Sequence, residues 1–374
     1  MKNKIKLGDL VNIKTGKLDA NAAVDNGKYP FFTTSEETFK IDTYAYDDEA
    51  VLVAGNGNLN IKYFYGKFNA YQRTYILTKK ENINVNIKYI YYFLDKYLET
   101  LRSLSIGGVI KYIKLENLIN PVLDLPTIEV QNKIVEKLDT FKKILDMYRK
   151  KIDILSDFNK SLFTRMFGDI KTNDKNWEIK KFNEVISILT DYHANGSYKI
   201  LKNNVELLDF KDYALMVRTT DLENNNFIQG VKYINEKAYN FLKKTKIFGG
   251  EIIINKIGSA GNVYLMPLLN RPVSLGMNQF MIRLKEDFNN IFYYKLLTTE
   301  YYTNVIKNNI QGAVTKTITK DAIKNIDIIV PPIKLQNIFA ERVEKIEKLK
   351  FEIEKSIETA QNLYDSLISK YFDN

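Results

Sequence analysis

The sequence predicts an α+β protein. Two mixed α/β domains are separated by two long antiparallel coiled-coil helices, and the whole is a pseudo-two-fold internal duplication. Three observations predict this. One repeat runs through the chain at a constant offset, two long heptad tracts lie inside it, and each tract is preceded by short apolar strands parted by Gly/Asn-rich loops.

The repeat has an offset of 205 residues. Lys111 meets Lys316, Ile113 meets Ile318, Asn120 meets Asn325, Pro126 meets Pro331, Gln131-Asn132 meets Gln336-Asn337, Ser161-Leu162 meets Ser366-Leu367, and Phe167 meets Phe372. Register holds without a gap, so a whole structural unit is duplicated.

The first domain, residues 1–126, carries the apolar strand Ala50 to Ala54, the loop Gly55-Asn56-Gly57-Asn58, and Tyr71-Gln72-Arg73 before a strand at Thr74 to Thr78. The second domain, residues 171–332, repeats the plan. Glu251 to Asn255 leads into Lys256-Ile257-Gly258-Ser259-Ala260-Gly261-Asn262, and Met277-Asn278-Gln279 precedes Phe280 to Leu284. Here the offset drifts, which is expected of a constant framework carrying different surface loops. Each domain ends in a glycine segment, Ser105 to Lys111 and Asn309 to Lys316. It is either a plain turn or a close approach to phosphate.

The tracts at 127–170 and 333–374 have apolar residues spaced 4-3-4-3. The first seam is Ile134, Leu138, Phe141, Leu145, Tyr148, Ile152, Leu155, Asn159, Leu162 and Met166. The second is Phe339, Val343, Ile346, Lys350, Ile353, Ile357, Ala360, Tyr364, Leu367 and Tyr371. Each tract follows proline, which suits a helix start because its missing N–H would be unpaired there. Each helix spans roughly 60 Å. Asn159 and Lys350 interrupt the seams, either to fix register or because that stretch is frayed or covered by a partner.

Composition narrows the function. The chain has no cysteine and one histidine, His193, which excludes disulfide scaffolds, zinc fingers, cysteine nucleophiles and histidine triads. Met1 to Leu10 has no signal-peptide core and no segment has a membrane span's apolar length, so a cytoplasmic location is expected. The net charge of +10 falls mostly in the two domains, +3 and +6, with +2 and −1 on the helical tracts. Lysine dominates the basic residues, as an AT-rich genome also produces, so charge is a weak pointer to nucleic acid.

Catalytic motifs are missing. Thr15-Gly16-Lys17-Leu18 lacks the spacing and hydroxyl of a P-loop, and Asn120-Pro121-Val122-Leu123 lacks the second proline and aromatic of an amino-methyltransferase. Glu206, Asp209 and Lys211 are a fragment of a nuclease site at most, and His193 is a polar loop residue without a partner set. No metal site or cofactor of its own is expected. Binding fits better: Asn and Gln pair with adenine edges, Arg and Lys with guanine, and glycine lets main chain approach phosphate. The candidate DNA contacts are Lys28, Asn56, Asn58, Gln72, Arg73 and Lys111 in the first domain. In the second they are Arg218, Lys256, Ser259, Asn278, Gln279 and Lys316.

Over nearly its whole length the chain resembles the specificity subunits of type I restriction-modification systems. The resemblance rests on Leu7-Gly8-Asp9-Leu10, on Gly27 to Phe32, Val51 to Gly57 and Gly66 to Ala70, and above all on the Pro-x4-Gln helix entries at Pro126–Gln131 and Pro331–Gln336. Trp177-Glu178 matches the family's aromatic start of a recognition domain, the first domain lacks that Trp, and residues 185–250 match nothing recognisable. The resemblance implies a non-catalytic subunit whose two target recognition domains each bind half of a bipartite double-stranded DNA site. The helices would set the spacer and dock two modification subunits carrying S-adenosylmethionine. Restriction subunits would add ATP- and Mg²⁺-dependent cleavage. The alternative is the DNA-recognition part of a self-contained restriction or methylation enzyme whose catalytic segment has gone unrecognised, and a weaker one is a coiled-coil structural protein.

Overall fold

The computed structural model describes residues 3–312 and 315–373. Ala313 and Val314 of the second glycine segment lie outside the described residues, as do Met1, Lys2 and Asn374. Two compact units form, Met1–Ile152 with Glu352–Asn374, and Asp153–Phe351. The long helices Ile128–Phe167 and Ile333–Phe372 each contribute to both units.

In the first unit, Asn3–Lys6 pairs with Val122–Leu125, and a six-stranded sheet follows. Its order is Val11–Thr15, Thr74–Lys79, Tyr46–Ala54, Ile61–Ala70, Tyr29–Phe32, Phe39–Ile41. The apolar run predicted at Ala50 to Ala54 is a strand buried on both faces. Val51 and Val53 join the core under the helix Ile87–Leu104, while Ala50 and Leu52 pack with Phe32 and Phe68 on the other side. Alternate side chains leave opposite faces of a strand, so burial on both faces requires an unbroken apolar run.

The second unit keeps the first four positions of that order, as Ile186–Asp191, Gln279–Leu284, Ile252–Asn255, Val263–Leu265. Ile252 and Ile254 face one core and Ile253 another. Four further strands form a separate sheet: Lys232–Ile234, Ala214–Val217, Val273–Leu275 and Lys246–Ile247. Asp327–Val330 pairs with Glu178–Lys181, the counterpart of the first unit's small sheet.

Within each unit the two helix halves run antiparallel. In the second, Phe163 and Phe167 set their rings 5.5 and 5.2 Å from Phe339, while Asn159, earlier on its helix, donates to Glu347, later on the other, at 3.1 Å. In the first, Ile134, Leu138 and Leu145 share a core with Ala360, Tyr364 and Ile368. Of the seam residues Phe339, Val343, Ile346 and Ile353 are buried, and Phe141, Tyr148 and Ile357 are partly so. Neither seam interruption stands alone, since Asn159 and Lys350 both approach Glu347.

The Pro-x4-Gln entries have a physical basis. Gln131 Nε2 donates to the Pro126 carbonyl (2.8 Å) while its Oε1 accepts the backbone N–H of Asn86 (2.9 Å). Asn132 Oδ1 accepts from Asn86 Nδ2 (2.8 Å), and Asn86 Oδ1 caps Ile87–Leu104 by accepting from Lys88 and Tyr89 N–H. Gln336, Asn337, Pro331 and Asn289 repeat every one of these bonds, at 2.7, 3.0 and 2.9 Å, with Asn289 capping Asn290–Leu297. Both glutamines are fully enclosed. Each thus fixes the start of a long helix to the cap of an earlier helix of the same unit.

Helix positions that invert their charge between the copies include Lys142/Glu347, Arg149/Glu354 and Lys160/Asp365, and the first is held by side-chain contacts in each unit. Lys142 donates to Tyr91 Oη (2.5 Å) and Asp95 (3.1 Å). Its repeat partner is Glu347, which accepts from Lys295 (2.9 Å) and Asn159.

Candidate nucleic-acid interface

The repeated loops converge. In the first unit Gly55 N–H donates to the Arg73 carbonyl (2.8 Å), Ile113 N–H to the Gly55 carbonyl (3.0 Å), and Gly57 N–H to the Lys111 carbonyl (2.9 Å). Ile106 and Tyr112 exchange two bonds of 2.9 Å and close the glycine segment into a hairpin. Gly107, at φ +116°, makes that closure possible, because a Cβ there would lie 2.5 Å from the Ile110 carbonyl oxygen. Val109 and Ile110 stand exposed at the tip.

The second unit builds the same frame. Lys256 N–H donates to the Asn278 carbonyl (2.7 Å), Ile318 N–H to the Lys256 carbonyl (3.2 Å), and Gln311 and Thr317 exchange two bonds of 2.8 Å. Gly312 takes φ +102°, where a Cβ would sit 2.2 Å from the Thr315 carbonyl oxygen. The loop after the central strand, the turn before its neighbour and the glycine hairpin therefore meet in both units through main-chain bonds.

The frame gathers some of the sequence-predicted contacts. Asn56, Arg73 and Lys111 stand together, Arg73 and Lys111 exposed and Asn56 half-buried beside Tyr112. Asn58 and Gln72 are on the same loops, but their amides already bind Glu36 (2.9 Å) and Asp19 (2.7 Å). Lys28 is exposed ahead of Tyr29–Phe32, outside these loops. In the second unit Ser259, Asn278 and Lys316 are exposed.

One candidate is buried and two are paired within the unit. Gln279 is completely enclosed, opposite Asn255 in the sheet, and does not reach the surface. Its side chain alternates inward because the strand begins one residue earlier than the expected Phe280. Arg218 binds Asp221 through Nη2 (2.7 Å) and Nε (3.2 Å) and the Gly230 carbonyl (2.6 Å). Lys256 reaches Asp191 at 3.2 Å.

Sequence reasoning missed Asp191 and Lys320. The Asp191 carboxylate is buried, paired to Lys320 (2.9 Å) as well as Lys256. Burial alone would raise its pKa, but hydrogen bonds from Lys320 and Lys256 outweigh it and hold the carboxyl below the usual carboxylate range. These residues lie far apart in sequence, so no local spacing could reveal the cluster. Of the candidate nuclease fragment, Asp209 is paired with Lys232. Among the described residues no three acidic, histidine or cysteine side chains gather as metal ligands, and no helix is long and apolar enough to cross a membrane.

A duplicated sheet-and-helix framework that offers two different loop surfaces defines a class of recognition proteins, and comparison with known proteins identifies it. The family model for the type I restriction modification DNA specificity domain matches residues 2–156 and 174–360, so the chain belongs to that family. It is a specificity subunit, the non-catalytic DNA-recognition component.

Among curated relatives, the specificity subunit of the type I restriction enzyme EcoDI from Escherichia coli is 28% identical over 98% of this chain and 87% of its own length. That of MjaVIII from Methanocaldococcus jannaschii is 22% identical over 96% and 91%. The crystal structure of the S subunit from M. genitalium superposes with a TM-score of 0.68 at 17% identity, covering 100% of this chain and 96% of that one. A chain from a study of complex assembly and conformational transition of a type I restriction-modification system gives 0.51 at 12% identity, covering 99% and 97%. These similarities confirm the expected fold class, two sheet-rich domains with long helices.

Proposed function

We propose that each unit reads one half of a bipartite double-stranded DNA target through its three-loop frame, and that the long helices set the spacer and dock two methyltransferase subunits. The observation that carries this reading is the shared frame itself. The same main-chain bonds hold loops of different sequence, Gly55-Asn56-Gly57-Asn58 in one unit and Lys256 to Asn262 in the other. Two surfaces of one geometry and unlike side chains suit two half-sites of unlike sequence. The contacts favoured are Asn56, Arg73 and Lys111 for one half-site and Ser259, Asn278 and Lys316 for the other. S-adenosylmethionine, ATP and Mg²⁺ belong on this reading to the partner subunits, including the restriction subunits that join the complex.

Reconstitution with methyltransferase subunits, followed by mapping of methylated adenines, tests it. The reading expects one bipartite target, and Asn278→Ala relaxing a single half-site by about 1–3 kcal/mol if the amide pairs with a base edge. Failure to associate with methyltransferase subunits, or relaxation of both half-sites together, would overturn it.

A further inference from the structure

The second unit contains a cavity of about 500 Å³ bounded by the one-turn helix Tyr192–Asn195, the helix Tyr198–Asn204 and the turn at 276–278. Its walls come largely from residues 192–220, inside the part of the chain that the family model matches. We propose that it receives a single nucleobase swung out of a DNA duplex bound on the adjoining loop frame, an inference that rests on the DNA-reading function above.

Four observations point to that ligand. The volume falls in the range of about 300–1,000 Å³ typical of small-molecule sites, ample for one base with its sugar. Tyr192, Tyr198, Met216 and Met277 line it, and flat rings and polarisable thioethers suit the face of an unstacked base. Tyr198 and Met277 are 71% and 48% exposed, so a large apolar surface is held open to solvent. No carboxylate lines the cavity, whereas Lys202 and Arg218 do. Asp221 and the Gly230 carbonyl occupy Nε and Nη2 of Arg218 and hold its guanidinium in place, so what it brings to the cavity wall is a fixed cationic group rather than that paired donor edge. Lastly, Asn278 both lines the cavity and anchors the loop frame through its carbonyl, so the cavity shares a wall with the proposed DNA surface.

The test uses the full chain without partner subunits, so that no methyltransferase pocket contributes. Duplexes carrying the target are prepared with one 2-aminopurine moved stepwise through each half-site, and binding is followed in parallel by anisotropy. The proposal expects a severalfold fluorescence rise at one position of the half-site read by the second unit. That rise should disappear in Tyr198→Ala and in Met277→Trp, which plugs the mouth, both being exposed positions where the fold tolerates change. Binding of the other half-site should be unaffected. Specific binding with no rise at any position, or a rise that survives both variants, overturns the proposal and leaves the DNA-reading function standing. Absence of specific binding to any duplex overturns both.

Discussion

The side-chain carbonyl of Gln131 accepts the backbone N–H of Asn86 at 2.9 Å, 45 residues away, and thereby ties the first long helix to the cap of another. Replacing Gln131 by Leu leaves that N–H and the Pro126 carbonyl without their partner inside the core. The expected cost is about 1–3 kcal/mol, read as a lower urea midpoint with an unchanged slope. Gln336→Leu should do the same in the second unit. An unchanged midpoint in both would show that the bonds contribute nothing net.

Asp191 gives the second unit a dependence on acid. Its folded pKa lies below its unfolded one, so the stabilisation is complete above the unfolded carboxylate value, near pH 4, and is lost as pH falls through the folded value. Asp191→Asn should cost about 1.5 kcal/mol at pH 7, a low figure because both lysines reach solvent. The variant and parent should converge in stability on the acid limb. Parallel curves across that limb would contradict the linkage.

Arg73 and Arg218 should behave oppositely despite their shared charge. Arg218→Ala strips the buried Asp221 of its ion pair and should lower stability by about 2 kcal/mol. Arg73→Ala, at an exposed loop position, should leave the thermal midpoint unchanged and weaken DNA binding with a shallower salt dependence. Thermal melts and a salt titration of binding separate the two.

Lys142 and Glu347 stand at equivalent positions with opposite charge. Lys142→Glu therefore sets a carboxylate against Asp95 and should destabilise the first unit by about 1–2 kcal/mol, discounted for partial exposure. Adding Asp95→Lys should recover part of the loss in a double-mutant cycle. Additive losses would mean the pair does not interact.

Gly107→Ala should open the hairpin it closes. Faster amide exchange at Ile106 and Tyr112, confined to that loop, is the expected signature. Protection equal to the parent would show that the Ile110 carbonyl gives way at no cost.

Much of the framework was legible because repetition multiplies weak signals. The heptads at 127–170 and 333–374 appear as the helices Ile128–Phe167 and Ile333–Phe372, and the runs at Ala50 and Glu251 mark strands buried on both faces. Pro126 and Gln131 carried a spacing whose meaning emerged only with Asn86, which no local pattern connects to them. The site was less legible for the same reason. Arg218, Lys256 and Gln279 are polar residues in loop-like contexts, yet Asp221, Asp191 and the strand starting at Gln279 engage them, and such partnerships depend on tertiary contacts.

The frame that joins the loops is made of main-chain bonds, so it is indifferent to most side chains it displays. Substitutions at Asn56, Ser259 or Asn278 leave every one of those bonds available. On the proposed reading, the chemistry offered to DNA can therefore change residue by residue while the fold that presents it stays as it is.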